Sequence, residues 1–319
     1  MSHYLTVVAT FILSLGSACK LCDRPTHDEA VQCLSSMHAR DISQLVGQQK
    51  IYISLSTSPK RLGRILPALR TLDLTHVEKI YLALPKLYRN QEAYGEIPQT
   101  LKDFPKLEII AQDQDDLGPI MKMLPAVELV GKLDQNALVI AVDDDIGFPG
   151  GAINELIYYA ILHPNAVISG WGNYAETFGI LPSEWPSQGK ATKAPFCGSR
   201  ELSYCDTVEG WRGIVYRPRL VNTKRLREVA QLSKACRTSD DLVVSHVLAE
   251  SGIEKIRVVN HFYPDIHRFE ASEDDGALHK INLNIPGWSP RPSIDAKFSG
   301  TTNSERYQRC VLDIRLQVK

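Results

Sequence analysis

The chain has 319 residues, of which 44% are hydrophobic and 23% charged, and its formal net charge is -1. That length and apolar content support one large domain or two small ones around a sizeable core. The near-neutral balance, with no dense basic block, argues against a polyanion-binding surface, so nucleic acid is not an expected partner.

In chain order, Tyr4 to Ala18 comes first, a mostly apolar, uncharged stretch with small Gly16 and Ala18 where a signal peptidase would cut. We read 1–18 as a signal peptide or short membrane anchor, 19–49 as an N-terminal extension and 50–319 as the folded domain. Against secretion, no Lys or Arg precedes the run, and about fifteen residues falls short of the roughly twenty that a span needs. A start-site artefact is the plainer alternative.

Seven cysteines fit an oxidising compartment better than a reducing one, and the odd count leaves one unpaired. The local pairs Cys22 with Cys33 and Cys197 with Cys205 are the expected bridges, and two or more disulfides are expected in all. Cys19 and Cys22 form a CxxC without a second half, which does not support zinc or redox chemistry.

Beyond the extension, strand-like and helix-like stretches alternate, which predicts an α/β fold with a largely parallel sheet. Ile51 to Leu55 is the first strand. Ser58 then caps and Pro59 opens a helix with Leu62, Ile65, Leu66 and Leu69 on one stripe. Ile80 to Leu84, Leu107 to Ala111 and Leu138 to Val142 are further strands. The helix after the last of these places Ile153, Leu156, Ile157, Ala160 and Ile161 together. Ala166 to Ser169 is another strand, and Gly170 to Gly213 reads as long aromatic-rich loops over the sheet's carboxyl edge, where open α/β sheets bind ligands. Ile214 to Tyr216 returns to strand, Arg219 to Ala235 is predicted helical, and Ile256 to Asn260 is a late strand.

Four constellations carry chemistry. The strand Val139-Ile140-Ala141-Val142 runs into Asp143-Asp144-Asp145. Adjacent carboxylates at a buried strand end repel one another and resist burial, and a divalent cation relieves both problems. Mg²⁺ or Mn²⁺ takes one or two protein carboxylates and completes its shell with water and substrate phosphates. Acids that simply face water are the plain alternative. Upstream, Asp116 can cap and Pro119 begin a helix carrying Ile120, Met123, Leu124 and Val127 inward. Lys122 in its first turn opposes the helix dipole and is better placed to meet a bound anion than to stabilise the helix. Glu209-Gly210-Trp211-Arg212-Gly213 is a turn where glycine lets the backbone approach a ligand and Trp211 offers an apolar platform. Last, Ser239-Asp240-Asp241 is a sound helix start, and it also offers a carboxylate able to take a proton from a nucleophile.

The order of these elements resembles nucleotide-sugar-dependent glycosyltransferases of the GT-A type, over roughly Lys50 to Cys310. Similar proteins also carry a Gly-Pro-x-x-Lys stretch, matched by Gly118, Pro119 and Lys122. A late Ala-Leu followed by Arg-Tyr-x-x-Cys is matched by Ala277-Leu278 and Arg306 to Cys310. The resemblance implies a GT-A-like, Rossmann-related sheet flanked by helices. It implies that Asp143 and Asp145 hold Mn²⁺ or Mg²⁺ against the donor diphosphate, and that Ser56, Arg61, Lys122, Asp143 and Asp144 line the nucleotide-sugar site. Asp241, with Asp240 beside it, would supply the base of an inverting transfer. Gly210 and Trp211 would meet a carbohydrate, glycoprotein or glycolipid acceptor. Such enzymes commonly add a late histidine to the metal, for which His261, His267 and His279 are candidates.

Two other classes use some of the same features. A metal-dependent phosphohydrolase shares the acidic strand end but needs more His and Asp ligands at defined spacings. A non-catalytic carbohydrate-binding protein needs only the aromatic loops. A transferase reached through a leader works in the Golgi or endoplasmic reticulum lumen, or is secreted. One without a leader fits the cytoplasmic face of a bacterial membrane.

Overall fold

A computed structural model describes residues 49–148, 150–186, 193–196, 200–258, 267–268 and 302–317. The elements in order are β1 (Ile51–Ser56), α1 (Leu66–Arg70), β2 (Val77–Ala83), α2 (Gln99–Lys102), β3 (Leu107–Ile110), α3 (Leu124–Leu133), β4 (Leu138–Ala141), β5 (Ile146–Gly147) and α4 (Gly150–Leu162). They continue with β6 (Ala166–Ser169), β7 (Gly172–Asn173), β8 (Lys193–Phe196), β9 (Arg200–Tyr204), β10 (Thr207–Val208) and β11 (Ile214–Tyr216). The last are α5 (Thr223–Gln231), α6 (Lys234–Arg237), α7 (Asp240–Glu250), β12 (Glu254–Arg257), β13 (His267–Arg268) and α8 (Thr302–Gln317).

Nine strands form one sheet in the order β3-β2-β1-β4-β11-β6-β12-β9-β8. Seven of them run one way, while β11 and β9 run against them, so the fold is α/β with a mostly parallel sheet. Period-2 alternation sends successive side chains to opposite faces. Ile51, Ile53 and Leu55 of β1 and Leu138 and Ile140 of β4 join Leu69, Ile153, Leu156 and Ile157 beneath α1 and α4. On the other face Tyr52, Val139, Ala141 and Tyr216 meet Leu124, Val127, Leu226, Val243 and Tyr307 from α3, α5, α7 and α8. Both faces are covered, and β1 and β4 end side by side at the sheet's carboxyl edge, with Ser54 opposite Ala141.

Several boundaries differ from the sequence reading. No helix opens at Pro59: Leu62–Arg64 is a 3-10 turn and α1 starts at Leu66. Pro67 explains this, since its ring tolerates only a helix's first turn, where it now sits. The stretch 219–235 is broken rather than continuous: Asn222 caps α5 by accepting the Arg225 amide at 3.1 Å, and Ser233 caps α6 by accepting that of Cys236 at 3.2 Å. The late strand lies earlier, at Glu254–Arg257. Within 170–213 the chain is more regular than loops, with a β8–β9 hairpin extending the sheet and β7 pairing with β10. Among the described residues no helix is long and apolar enough to cross a membrane.

The cysteine pairing is also corrected. Cys236 bridges Cys310, tying α8 to α6 across a sequence separation of 74. Cys205 is a free, buried thiol and therefore not the partner of Cys197. Its sulfur is turned inward, against the Lys255 carbonyl at 3.7 Å, and burial pushes the thiol up to about 12. Cys22 and Cys33 lie outside the described residues, as do the proposed leader and extension up to residue 48.

Candidate active site

β4 delivers its three acids into two different environments. Asp144 turns inward and is 7% exposed, with Oδ2 accepting the Thr57 hydroxyl at 2.5 Å. Arg61 Nη2 stands 3.0 Å from Asp144 Oδ1 and 2.7 Å from Asp145 Oδ2, so one guanidinium joins the loop after β1 to two adjacent carboxylates. Burial pushes the Asp144 carboxyl up to about 7, opposed by Arg61 and Thr57 and aided by the neighbouring acids. Burial and Asp143 raise Asp145 as well, with Arg61 opposing. Even with its cation, this end of the site carries more negative charge than it neutralises.

Asp143 lies close enough to raise Asp145 but pairs with a different cation. Lys122 Nζ lies 2.9 Å from Asp143 Oδ1, 2.9 Å from Asp240 Oδ2 and 4.0 Å from Asp241 Oδ1. Burial would lower the lysine, but the three carboxylates outweigh it and hold the ammonium raised and charged. Contrary to the sequence expectation, Lys122 is not in the first turn of an α-helix. It closes the 3-10 segment Pro119–Lys122, and α3 begins two residues later with Pro125 in its first turn. Asp116 stabilises the approach without capping α3: it accepts the Gly118 amide at 2.7 Å and also that of Arg89. Gly118 has φ +84° and lies so close to α6 that a Cβ would stand 2.1 Å from the Arg237 carbonyl oxygen. This contact seats the Lys122 segment against the helix that precedes Asp240.

At α7, the acids hold the first turn as expected, but Ser239 does not cap through its side chain. Asp241 Oδ1 instead accepts the Gly210 amide at 3.0 Å. Its carboxyl is raised well above the ordinary range by burial and then by Asp240, with Lys122 opposing. Gly210 is needed for a specific reason: a Cβ there would lie 2.3 Å from Lys122 Nζ. The close approach this glycine permits is to the protein's own ammonium.

The rest of that turn is a stack. Arg212 is buried with its guanidinium 4.1 Å from the ring centres of both Trp171 and Trp211, and Arg257 lies 4.1 Å from Trp171. Cation–π contact of this kind fixes both rings. Glu209 sits beneath, accepting from the Asn173 amide, and burial raises its carboxyl. Behind Asp241, α8 contributes the buried Tyr307, which packs edge-on to Phe178 at 4.7 Å, and burial, then Asp241, raises its phenol.

The structure thus assembles nearly every residue singled out in the sequence. Arg61, Asp144 and Asp145 form one pole; Lys122, Asp143, Asp240, Asp241 and Gly210 form the other. Ser56 ends β1 half-buried, and Trp211 stands next to Gly210. His261 and His279 lie outside the described residues, whereas the backbone of His267 pairs with Gly147, two positions past Asp145. Thr57 falls within the loop Ser56 to Arg61 that the resemblance assigns to the nucleotide, whereas sequence reasoning missed Tyr94, whose hydroxyl donates to the Thr57 carbonyl at 2.9 Å, because a lone Tyr in a loop carries no pattern. Arg212 was also missed as a structural cation, because Trp171, the second ring it stacks on, is 41 residues earlier in the chain.

No protein-family model matches the chain, and no curated protein matches it. Among solved structures, the crystal structure of S. aureus TarS residues 1–349 in complex with UDP is similar over 68% of this chain and 63% of that one, with 14% identity and a TM-score of 0.34. The chain spans less than two thirds of that protein's length, and a likeness of this degree carries no argument about activity.

Proposed function

We propose that the protein is a glycosyltransferase that moves a sugar from a nucleotide diphosphate to an acceptor hydroxyl, with inversion, using Mn²⁺ or Mg²⁺. One observation carries this reading: the acidic strand end and the acidic helix start, 95 residues apart from Asp145 to Asp240, meet in one site at the sheet's carboxyl edge. Five carboxylates (Asp143, Asp144, Asp145, Asp240, Asp241) face two cations, Arg61 and Lys122, which is a deficit of positive charge, and burial, then the neighbouring acids, raises Asp144 and Asp145 against Arg61.

A divalent ion fits that deficit. Among the described residues no three His, Cys, Asp or Glu side chains converge as a ready-made cage. The fit is therefore to an ion held by Asp143 and Asp145 that shares its shell with diphosphate and water, and bound there it would offset charge on the departing nucleoside diphosphate. The backbone register makes His267 the first of the late histidines to test as a further ligand. Ser56 and Arg61, on the loop after β1, would line the nucleotide, and Trp211 the acceptor. Asp241, whose carboxyl burial raises and whose Oδ1 accepts the Gly210 amide, would take the acceptor proton.

The Cys236–Cys310 bridge favours an oxidising location, the secretory lumen or outside the cell, over the cytoplasmic face of a bacterial membrane. The deciding experiment is a screen of nucleotide sugars with Mn²⁺ for slow donor hydrolysis, which finds the donor without knowing the acceptor. Release of nucleoside diphosphate and free sugar from one donor supports the reading. Release of inorganic phosphate instead would identify a phosphohydrolase, and sugar binding without any turnover would identify a binding protein.

A further inference from the structure

Lys122 has an unusual position for a lysine at a site expected to bind a diphosphate. Its ammonium does not reach toward open space. It is enclosed by Asp143 from the strand end, by Asp240 and Asp241 from the start of α7, and by the Gly210 backbone, which leaves no room for even a methyl group. The side chain is 11% exposed. The segment that carries it is itself pinned, through Gly118 against Arg237 and through Asp116.

We propose that Lys122 is a positioning residue: its ammonium ties the donor-side acid Asp143 to Asp240, and together with the Gly210 amide it sets the Asp241 carboxylate in place. The role rests on the glycosyl-transfer reading above, but the clamp itself is a property of the fold. Three consequences follow from the distances. Asp240, at 2.9 Å from the ammonium, is committed to the clamp, whereas Asp241, at 4.0 Å, keeps a looser hold and an amide on Oδ1. The two halves of the site, donor and acceptor, are linked through one side chain whose ammonium is taken up by the protein's own carboxylates. Gly210 acts with Lys122 rather than with the acceptor, because its missing Cβ is the space that Nζ occupies.

Lys122→Met removes the charge while keeping most of the stem. Without the tie, Asp241 moves relative to the acceptor, and a displacement of about 1 Å in a reacting group costs roughly 10²-fold in rate. The expected result is a kcat lowered by about that factor, with the KM for donor changed less than about threefold. Gly210→Ala keeps the lysine but takes its space, so it should reproduce the same split, and the double variant should be no worse than the poorer single one. A KM for donor raised tenfold or more in Lys122→Met, with kcat retained, would overturn the proposal and make Lys122 a donor-binding residue. Additive losses in the double variant, or an unchanged kcat, would overturn it too. If the wild-type protein transfers no sugar, the glycosyl-transfer reading fails, and the clamp is judged separately by hydrogen exchange at the Gly210 amide. Exchange at least tenfold faster in Lys122→Met upholds the tie, and unchanged exchange overturns it.

Discussion

The Gly210 amide donates to Asp241 Oδ1 over 3.0 Å, so the carboxylate at the head of α7 is held by a turn that lies 31 residues earlier in the chain. Asp240, one residue before it, has a different partner, the Lys122 ammonium. Two adjacent aspartates that look interchangeable in the sequence are thus separated by their contacts.

This division predicts different outcomes for the two Asn variants. Asp241→Asn should lower transfer by roughly 10²-fold or more and leave metal-dependent nucleotide binding intact, because proton removal is lost while the diphosphate site is untouched. Asp240→Asn leaves a buried ammonium with a weaker partner, and its first effect should be a stability loss of about 1–3 kcal/mol by chemical denaturation. Equal, near-normal turnover in both variants would remove the base assignment and with it the inverting mechanism.

The Cys236–Cys310 bridge holds α8 on α6, and Tyr307 on α8 lies close enough to Asp241 for that carboxylate to raise its phenol. By the chain-entropy argument, closing a loop of this length stabilises the fold by about 4 kcal/mol, with strain subtracting from that. Cys310→Ser should accordingly lower the denaturation midpoint, and so should a reductant on the wild type but not on the variant. Identical midpoints with and without reductant would show that the bridge does not form in solution. Cys205 should stay unmodified by thiol reagents until the protein unfolds, since its thiol is buried and raised to about 12.

A third prediction concerns pH. His246 on α7 is buried against the edge of Trp185, and burial lowers its imidazole to about 4, with Glu250 opposing and Arg225 and Lys255 assisting. The depressed folded value means that the unfolded chain binds a proton which the native state refuses. The histidine therefore costs nothing above the ordinary value of 6.5, and stability falls as pH drops from there toward 4. The loss should be on the order of 2–3 kcal/mol and should be absent from His246→Phe, which keeps the aromatic contact. Parallel stability–pH curves for the two proteins between pH 4 and pH 7 would contradict it.

Much of this fold was legible because burial on both faces forces continuous apolar strands, and β1, β4, β6 and β11 lie within a residue or two of where their apolar runs predict. The acids were legible for the opposite reason, since a triple aspartate after a buried strand demands compensation. What the sequence could not show was who compensates whom. Lys122 read as a ligand for an anion because its partners Asp240 and Asp241 are more than a hundred residues away, and only the sheet order brings them together. Trp171 read as a loop aromatic, yet two arginines from distant segments stack on it. Long-range charge pairing leaves no periodic trace, and the hairpin at 193–204 was hidden by its Pro, Gly and Ser content.

In the proposed site Asp143 and Asp145 share one divalent ion with a nucleoside diphosphate. Isothermal titration of UDP, GDP, ADP and CDP into the protein, with Mn²⁺ and with chelator, measures that sharing. One of the four should bind at least tenfold more tightly with Mn²⁺, and Asp145→Asn should abolish this difference while the variant unfolds as cooperatively as the wild type. Equal affinity with metal and with chelator for every nucleotide would contradict it.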